Sequence, residues 1–306
     1  MIATSRLHHE IVEHFIVHGY APPNATLSSL CWIVAFLACL ASPVLAQADA
    51  RGVSPAAPLV MGETFTIQSR TLDETRRINV YLPPIYKDSA DVRLPVLYMP
   101  DGGMAEDFLH VAGLVQVSVG NGTMRPFILV GIENTKRRRD LTGPTQNAED
   151  RKIAPEVGGS AAFRKFIRAE LIPVIDARYR TTGERAIVGE SLAGLFIVET
   201  FFLEPDLFDT YIAFDPSLWW NDHALVDSAA ARLRATKFGK RTLYLANSSQ
   251  DIDQLSRVLA DTLAKYAPSD VTWYYQPMMN ETHATIYHPA ALIAFRRVFE
   301  PDTTSH

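Results

Sequence analysis

The sequence predicts an α/β fold, a doubly wound and mostly parallel sheet with helices on both faces, and three observations carry that expectation. Val96-Leu97-Tyr98-Met99 and Phe127-Ile128-Leu129-Val130 are compact apolar runs of the kind parallel strands need when both faces are covered. Such runs alternate with segments of helical apolar spacing as far as Phe299, the order expected of repeated strand-helix units. At one strand-to-helix junction, Gly189-Glu190-Ser191-Leu192-Ala193-Gly194 sets a serine at the apex of a turn between small residues.

The chain opens on a segment that reads as an address rather than as fold. Leu30 to Leu40 is an unbroken apolar run, Pro43 ends it, and Val44-Leu45-Ala46 places small residues where a signal peptidase reads. Residues 1–46 are therefore expected to be an export signal, with an unusual upstream extension in which Arg6 is the one firm positive charge. The run falls well short of the roughly 20 apolar residues needed to cross a bilayer, so the mature chain is expected to have no stable membrane span. Phe36-Leu37-Ala38 makes Cys39 a poor lipid acceptor, and Cys31 and Cys39 both fall in this leader. A mature chain starting at Gln47 has no thiol, which excludes disulfides, a cysteine nucleophile and cysteine metal ligands.

Residues 47–60, rich in Ala, Pro and Gly, read as a flexible leader before a single domain over residues 61–300 and a short tail at 301–306. Period-2 alternation over Glu63 to Gln68 and Arg77 to Leu82 predicts an antiparallel pair closed by Pro83-Pro84. Two central strands follow, at Val96 to Met99 and Phe127 to Val130. Ala162 to Ile172 carries Phe163, Phe166, Ile167 and Leu171 at helical spacing, and Pro173 is expected to stop it. Arg185 to Val188 predicts a strand, the segment after Ser191 a helix, and Thr210 to Phe214 and Thr242 to Ala246 two more strands. Leu255, Val258, Leu259, Leu263 and Tyr266 share one helix face, Val271 to Gln276 is the last strand, and Ala290 to Phe299 the last helix.

With 306 residues, 47% hydrophobic and 21% charged, the chain has enough apolar material for a large core. A formal charge of -5 speaks against a nucleic-acid partner, and the one basic run, Lys136-Arg137-Arg138-Arg139, is short and followed at once by Asp140. No His, Asp or Glu cluster has metal-ligand spacing, so neither a metal nor another cofactor is expected. Oligomeric state is not legible.

Strand, sharp turn and helix around Ser191 make a nucleophile elbow, where small residues two positions either side of the serine hold its hydroxyl above the sheet. The usual pattern ends in Gly; here Ala193 stands in that place, with Gly194 one step later. Acyl transfer by serine needs a base, an acid that orients the base, and donors for the oxyanion. His223, His283, His288 and His306 follow the serine; His283 comes directly after the last strand and before the last helix, where the base is expected, whereas His288, next to Pro289 at the helix start, reads as a cap or surface residue. For the acid, Asp251 follows the Thr242 to Ala246 strand; Asp215 competes, with a turn before Pro216 as its structural explanation, and Asp253 is a third choice. The expected oxyanion donors are the N–H of Leu192 and one from Gly102 or Gly103, after the strand ending at Met99. Trp219 and Trp220 are candidates for lining the substrate pocket, against core packing as the plainer role.

Leu94-Pro95-Val96-Leu97-Tyr98, Asp101-Gly102-Gly103, Glu170-Leu171-Ile172-Pro173, Tyr179-Arg180-Thr181, the serine hexapeptide and Asp215-Pro216-Ser217-Leu218-Trp219-Trp220 together resemble esterases of the esterase D type. The resemblance covers Gly62 to Phe299, and Pro216 to Trp220 resembles the branch with periplasmic siderophore esterases. It implies an α/β-hydrolase fold, carboxylic ester hydrolysis through an acyl-enzyme and no cofactor, with the nucleophile on Ser191 and the base on His283. The resemblance leaves the acid open, because that branch is described as working with little more than a Ser-His pair. Family members often carry His before the serine, where this chain has Glu190. The leading expectation is an exported serine carboxylesterase, periplasmic or secreted, acting on a small or medium ester. Alternatives are a siderophore trilactone esterase, in which Arg137 to Arg139 meet an anionic catecholate, an acyltransferase, and a non-catalytic hydrolase-fold binding protein.

Overall fold

A strand covered on both faces must divide its side chains between two cores, and the central strands of this chain do so residue by residue. The computed structural model describes residues 54–301. The expected export signal, both cysteines, residues 47–53 of the mature leader and residues 302–306, with His306, lie outside the described residues. Residues 54–60 carry no regular secondary structure and are exposed.

β1 (Glu63–Ser69) and β2 (Glu74–Tyr81) form the antiparallel pair, and β2 also runs antiparallel to β4 (Ile128–Ile132). From β4 onward every neighbour is parallel, through β3 (Leu94–Pro100), β5 (Thr181–Glu190), β6 (Thr210–Phe214), β7 (Arg241–Ser248) and β8 (Val271–Met278). The sheet order is β1-β2-β4-β3-β5-β6-β7-β8, and two short helices, α1 (Pro84–Asp88) and α3 (Arg137–Leu141), follow β2 and β4. This is an α/β-hydrolase architecture, and the strands that carry it are the ones whose apolar runs predicted it.

On one face, Val96, Tyr98, Ile187, Tyr211, Ala213, Leu243 and Leu245 meet the helices α4 (Ser160–Phe166), α6 (Leu192–Leu203), α7 (Ala224–Ala235) and α8 (Leu255–Tyr266). The alternate residues Leu97, Met99, Ala186, Val188, Ile212, Phe214, Tyr244 and Ala246 face α2 (Phe108–Gly120) and α9 (Tyr287–Val298). α6 lies deepest, with Leu192 to Val198 all buried. Each fully buried Leu, Ile or Phe there contributes about 1.5–3 kcal/mol. The one acid in that helix, Glu199, is satisfied by Arg164 at 2.5 Å.

Two local expectations differ. Pro173 does not stop its helix: α4 continues through a π-helical turn, Ile167–Leu171, into α5 (Ile172–Arg178). The Ile172 N–H bonds Ile167 O, and this widened turn lets a residue without an N–H enter the first turn of α5. α2 was not anticipated, although Phe108, Val111, Ala112 and Val115 are buried at i, i+3, i+4 and i+7. Its Gly113 and four valines depress helix propensity.

Candidate active site

Three parallel strands leave the carboxyl edge of the sheet through a non-glycine residue of positive φ: Asp101 after β3 (56°), Ser191 after β5 (61°) and Asp215 after β6 (42°). Such backbone costs about 1–3 kcal/mol per residue and survives only where the surroundings impose it. At Ser191 they do. Its N–H donates to Phe214 O at 3.0 Å, and its carbonyl accepts from Leu195 N at 2.9 Å and Ser217 N at 3.0 Å.

The small residues around the serine are set by contact distances. A Cβ on Gly189 would sit 2.6 Å from the Ala193 Cβ, so the glycine is what lets alanine replace the usual glycine at the far side of the elbow. A Cβ on Gly194 would sit 3.0 Å from both Phe214 O and Pro216 Cα, so α6 rests directly on the turn that carries Asp215.

His283, in the loop after β8, reaches this edge with both ring nitrogens engaged. Nε2 lies 3.1 Å from Ser191 Oγ and Nδ1 lies 2.7 Å from Asp215 Oδ2. A carboxylate only accepts, so Nδ1 carries the proton and Nε2 is free to accept from the serine hydroxyl. Asp215 is itself held by the Ser248 N–H at 2.9 Å and the Ser248 hydroxyl at 2.8 Å. Burial pushes its carboxyl up, but the hydrogen bonds from His283 and Ser248 outweigh burial and hold it below the usual carboxylate range. The same bond to Asp215 holds the His283 imidazole above 6.5, against its own burial.

The carboxylate on His283 is therefore that of Asp215, and Asp251 does not reach the imidazole. β7 runs on to Ser248, two residues past the expected end, so Ser248 folds onto Asp215 while Asp251 is carried to the start of α8. There its carboxylate accepts from Ser256 N at 3.1 Å, and burial pushes it up to about 6, partly offset by that bond. Asp253 sits in the short 3-10 turn Ile252–Gln254 at φ 51°. Of the other histidines, His223 precedes α7 beside Asp227, and His288, on α9, packs against His110 of α2.

The β3 loop also departs from expectation. Gly102 N–H donates to Ile132 O at 3.0 Å, and a Cβ there would collide with Gly131 Cα at 2.3 Å. Gly102 therefore serves the packing of β3 against β4 and offers no free donor. Gly103 N–H donates to Glu106 Oε2 at 2.7 Å. Leu192 N–H is the first of α6 and has no acceptor within the helix.

Two cavities flank Ser191. One of about 220 Å³ is lined by Asp215, Leu218, Trp219, Asp251, Ile252 and His283. The other, about 170 Å³, is lined by Arg137, Arg138, Leu192, Ser217, Trp219 and Trp220. Trp219 faces both, whereas Trp220 is buried and anchored by its Nε1–H to Gly143 O at 2.9 Å. Arg137 is bidentate to Asp101, and Arg139 turns away to Glu74 and Asp140. Ser248, Ser217 and Glu106 escaped the sequence reading. Their partners are set by chain crossings at the sheet edge, and no local spacing signals them.

The chain resembles known proteins along most of its length. A family model described as "Putative esterase" matches residues 69–270. The ferri-bacillibactin esterase BesA of Bacillus subtilis is 25% identical over 279 residues, 82% of this chain and 94% of that protein. The siderophore triacetylfusarinine C esterase of Aspergillus fumigatus is 30% identical over 199 residues, 59% of this chain and 64% of that protein. Among solved structures, an IroE-like serine hydrolase from Shewanella oneidensis matches with a TM-score of 0.71 at 30% identity, over 78% of this chain and 80% of that one.

Proposed function

The chain belongs to the esterase family that matches it over residues 69–270, and we propose that it is an exported serine carboxylic ester hydrolase working through an acyl-enzyme. The observation that carries this reading is the unbroken hydrogen-bonded line from Asp215 through His283 to Ser191. Ser191 Oγ attacks the ester carbonyl carbon as His283 Nε2 takes its proton. Asp215 fixes the Nδ1–H tautomer and stabilises the imidazolium. The Leu192 N–H faces the developing oxyanion. The alcohol leaves with the proton from Nε2, and water, deprotonated by His283, then releases the acid and regenerates Ser191.

Ser191→Ala is expected to lower p-nitrophenyl ester hydrolysis by at least about a thousandfold and to abolish labelling by a fluorophosphonate, with the fold retained. A variant that keeps half its activity overturns the assignment, and a wild-type chain that takes no label favours a binding protein on the hydrolase fold. Export rests on the apolar run Leu30 to Leu40 and the small residues before Gln47; N-terminal sequencing of exported protein should begin at Gln47.

A second reading, a siderophore trilactone esterase, is favoured by the relatives and by the Arg137, Arg138 and Trp219 lining beside Ser191. Among the described residues no helix is long and apolar enough to cross a membrane.

A further inference from the structure

Glu190 has no evident structural task. It is the last residue of β5, directly before Ser191. Strand alternation puts it with Ala186 and Val188 on the face covered by α2 and α9. Its Oε1 is buried without a hydrogen-bond partner. On the same seam, Tyr287 OH and His110 Nδ1 are likewise buried and unpartnered, with the two rings 4.7 Å apart.

The register brings this acid to the site. Glu190 pairs with Phe214 on β6, so it lies one strand spacing, about 4.8 Å, from the residue that precedes Asp215. The charged and titratable groups around it come from every neighbouring element. Asp101 is contributed by the β3 loop, Asp107 and His110 by the start of α2, Tyr287 and His288 by α9, Asp215 by the β6 loop, and Arg137, which pairs with Asp101, by the β4 loop. Of these, His110 is paired with Asp107 at 3.3 Å, Arg137 with Asp101, and His288 packs against His110, so His283, which takes a proton in the reaction, is the cation that Glu190 can serve. Burial pushes Glu190 up to about 7, with His283 opposing the rise and the nearby acids adding to it. A half-buried carboxylate with one oxygen buried and unpartnered is a costly group to keep where glutamine would pack as well.

We propose that Glu190 is a positioning residue for the ester-cleaving reaction, a second carboxylate that stabilises the His283 imidazolium formed when the imidazole takes the Ser191 proton. Asp215 does this by direct hydrogen bond to Nδ1; Glu190 does it through space, from beneath the elbow. No bond is made or broken at Glu190, and the proton stays on His283 until the alcohol leaves. The proposal rests on the Ser191–His283 reading above.

The test is the pH profile of kcat/KM for a p-nitrophenyl ester in wild type, Glu190→Gln and Glu190→His, each first titrated with a fluorophosphonate. Removing a negative neighbour lowers the imidazole's affinity for a proton. The acid limb should therefore move to lower pH by about half a unit or more, and plateau kcat should fall about three- to tenfold with KM within about twofold. Glu190→His, which brings the residue common among the resembling esterases, should shift the limb the same way. If both variants fold and label but keep the wild-type limb, Glu190 is a packing residue and the proposal fails. Should one variant fail to fold, the other decides. Absence of label in wild type would instead sink the Ser191–His283 reading, so the two failures are distinguishable.

Discussion

Asp215 and Asp251 both line the cavity beside Ser191, and position in the chain alone favoured the wrong one as partner of His283. Pro216 gave Asp215 a ready role in a turn; the structure gives it that turn, at φ 42°, and the imidazole as well. Asp215→Asn is expected to lower kcat by about 10³–10⁴, because an amide cannot hold the productive tautomer. Asp251→Asn should cost less than about tenfold, ~1.4 kcal/mol of barrier, and the reverse ranking in folded variants would return the acid to the β7 loop. The pH dependence follows from the same pair. His283 is held above 6.5, so its share of folding stability is whole below pH 6.5 and is lost as pH rises through the folded value. Asp215 is held below 3.8, so its share is present above pH 3.8 and is lost as pH falls through the folded value. A base must be neutral, so kcat/KM should rise along a limb centred above pH 6.5 in wild type and lower in Asp215→Asn, measured with a neutral ester. Ser191 and His283 were legible because a motif and a chain order mark them. The acid was not, since β6 and β7 end at one edge and only the fold says which loop turns inward.

At the scale of elements, the elbow works because helix α6 touches the β6 turn, and Gly194 is the point of contact. An added methyl meets backbone on both sides, at 3.0 Å from Phe214 O and from Pro216 Cα. Neither can rotate away, so α6 and the Asp215 turn must part. Gly194→Ala is therefore expected to destabilise by about 1–3 kcal/mol and to lower kcat more than tenfold through displaced Asp215, read by thermal melting and by kinetics. Gly113 is the control, a helical glycine in α2 with nothing within 4 Å of its Cβ position. Gly113→Ala should stabilise by up to about 1 kcal/mol; equal losses in the two variants would mean that the contact at Gly194 is not what matters. The elements themselves were read to within a few residues wherever burial on both faces forced an apolar run, as in β3, β4 and β6. The reading failed at α2 and at Pro173, where tertiary packing and a π-turn overrode local preference.

For the whole molecule, a mostly parallel sheet with helices on both faces followed from the strand-helix alternation, whereas the order of strands in the sheet and the segment between β4 and α4 had no readable pattern. The segment is fixed by long-range polar contacts: Arg76 to Asp140, Asn221 N–H to Asp150 at 2.8 Å, and Trp220 to Gly143. That segment brings Arg137 and Arg138 beside Ser191, on the side away from Asp215 and Asp251. The chain as a whole carries a formal charge of -5, so the arginine side is a local exception in a repelling field. Asp101 neutralises Arg137, which leaves Arg138 as the exposed cation there. An ester with an anionic aryl group should then bind with that group toward Arg138, and its advantage over a neutral isostere should be electrostatic. We expect the ratio of kcat/KM for the anionic ester to that for the neutral one to be largest at low salt. It should shrink as the screening length falls from about 10 Å at 0.1 M to about 3 Å at 1 M, and Arg138→Ala should lower it at low salt. A ferric triscatecholate lactone, anionic and large, should follow the anionic ester. A ratio that ignores both salt and Arg138 would remove the physical ground for preferring a siderophore over a simple neutral ester.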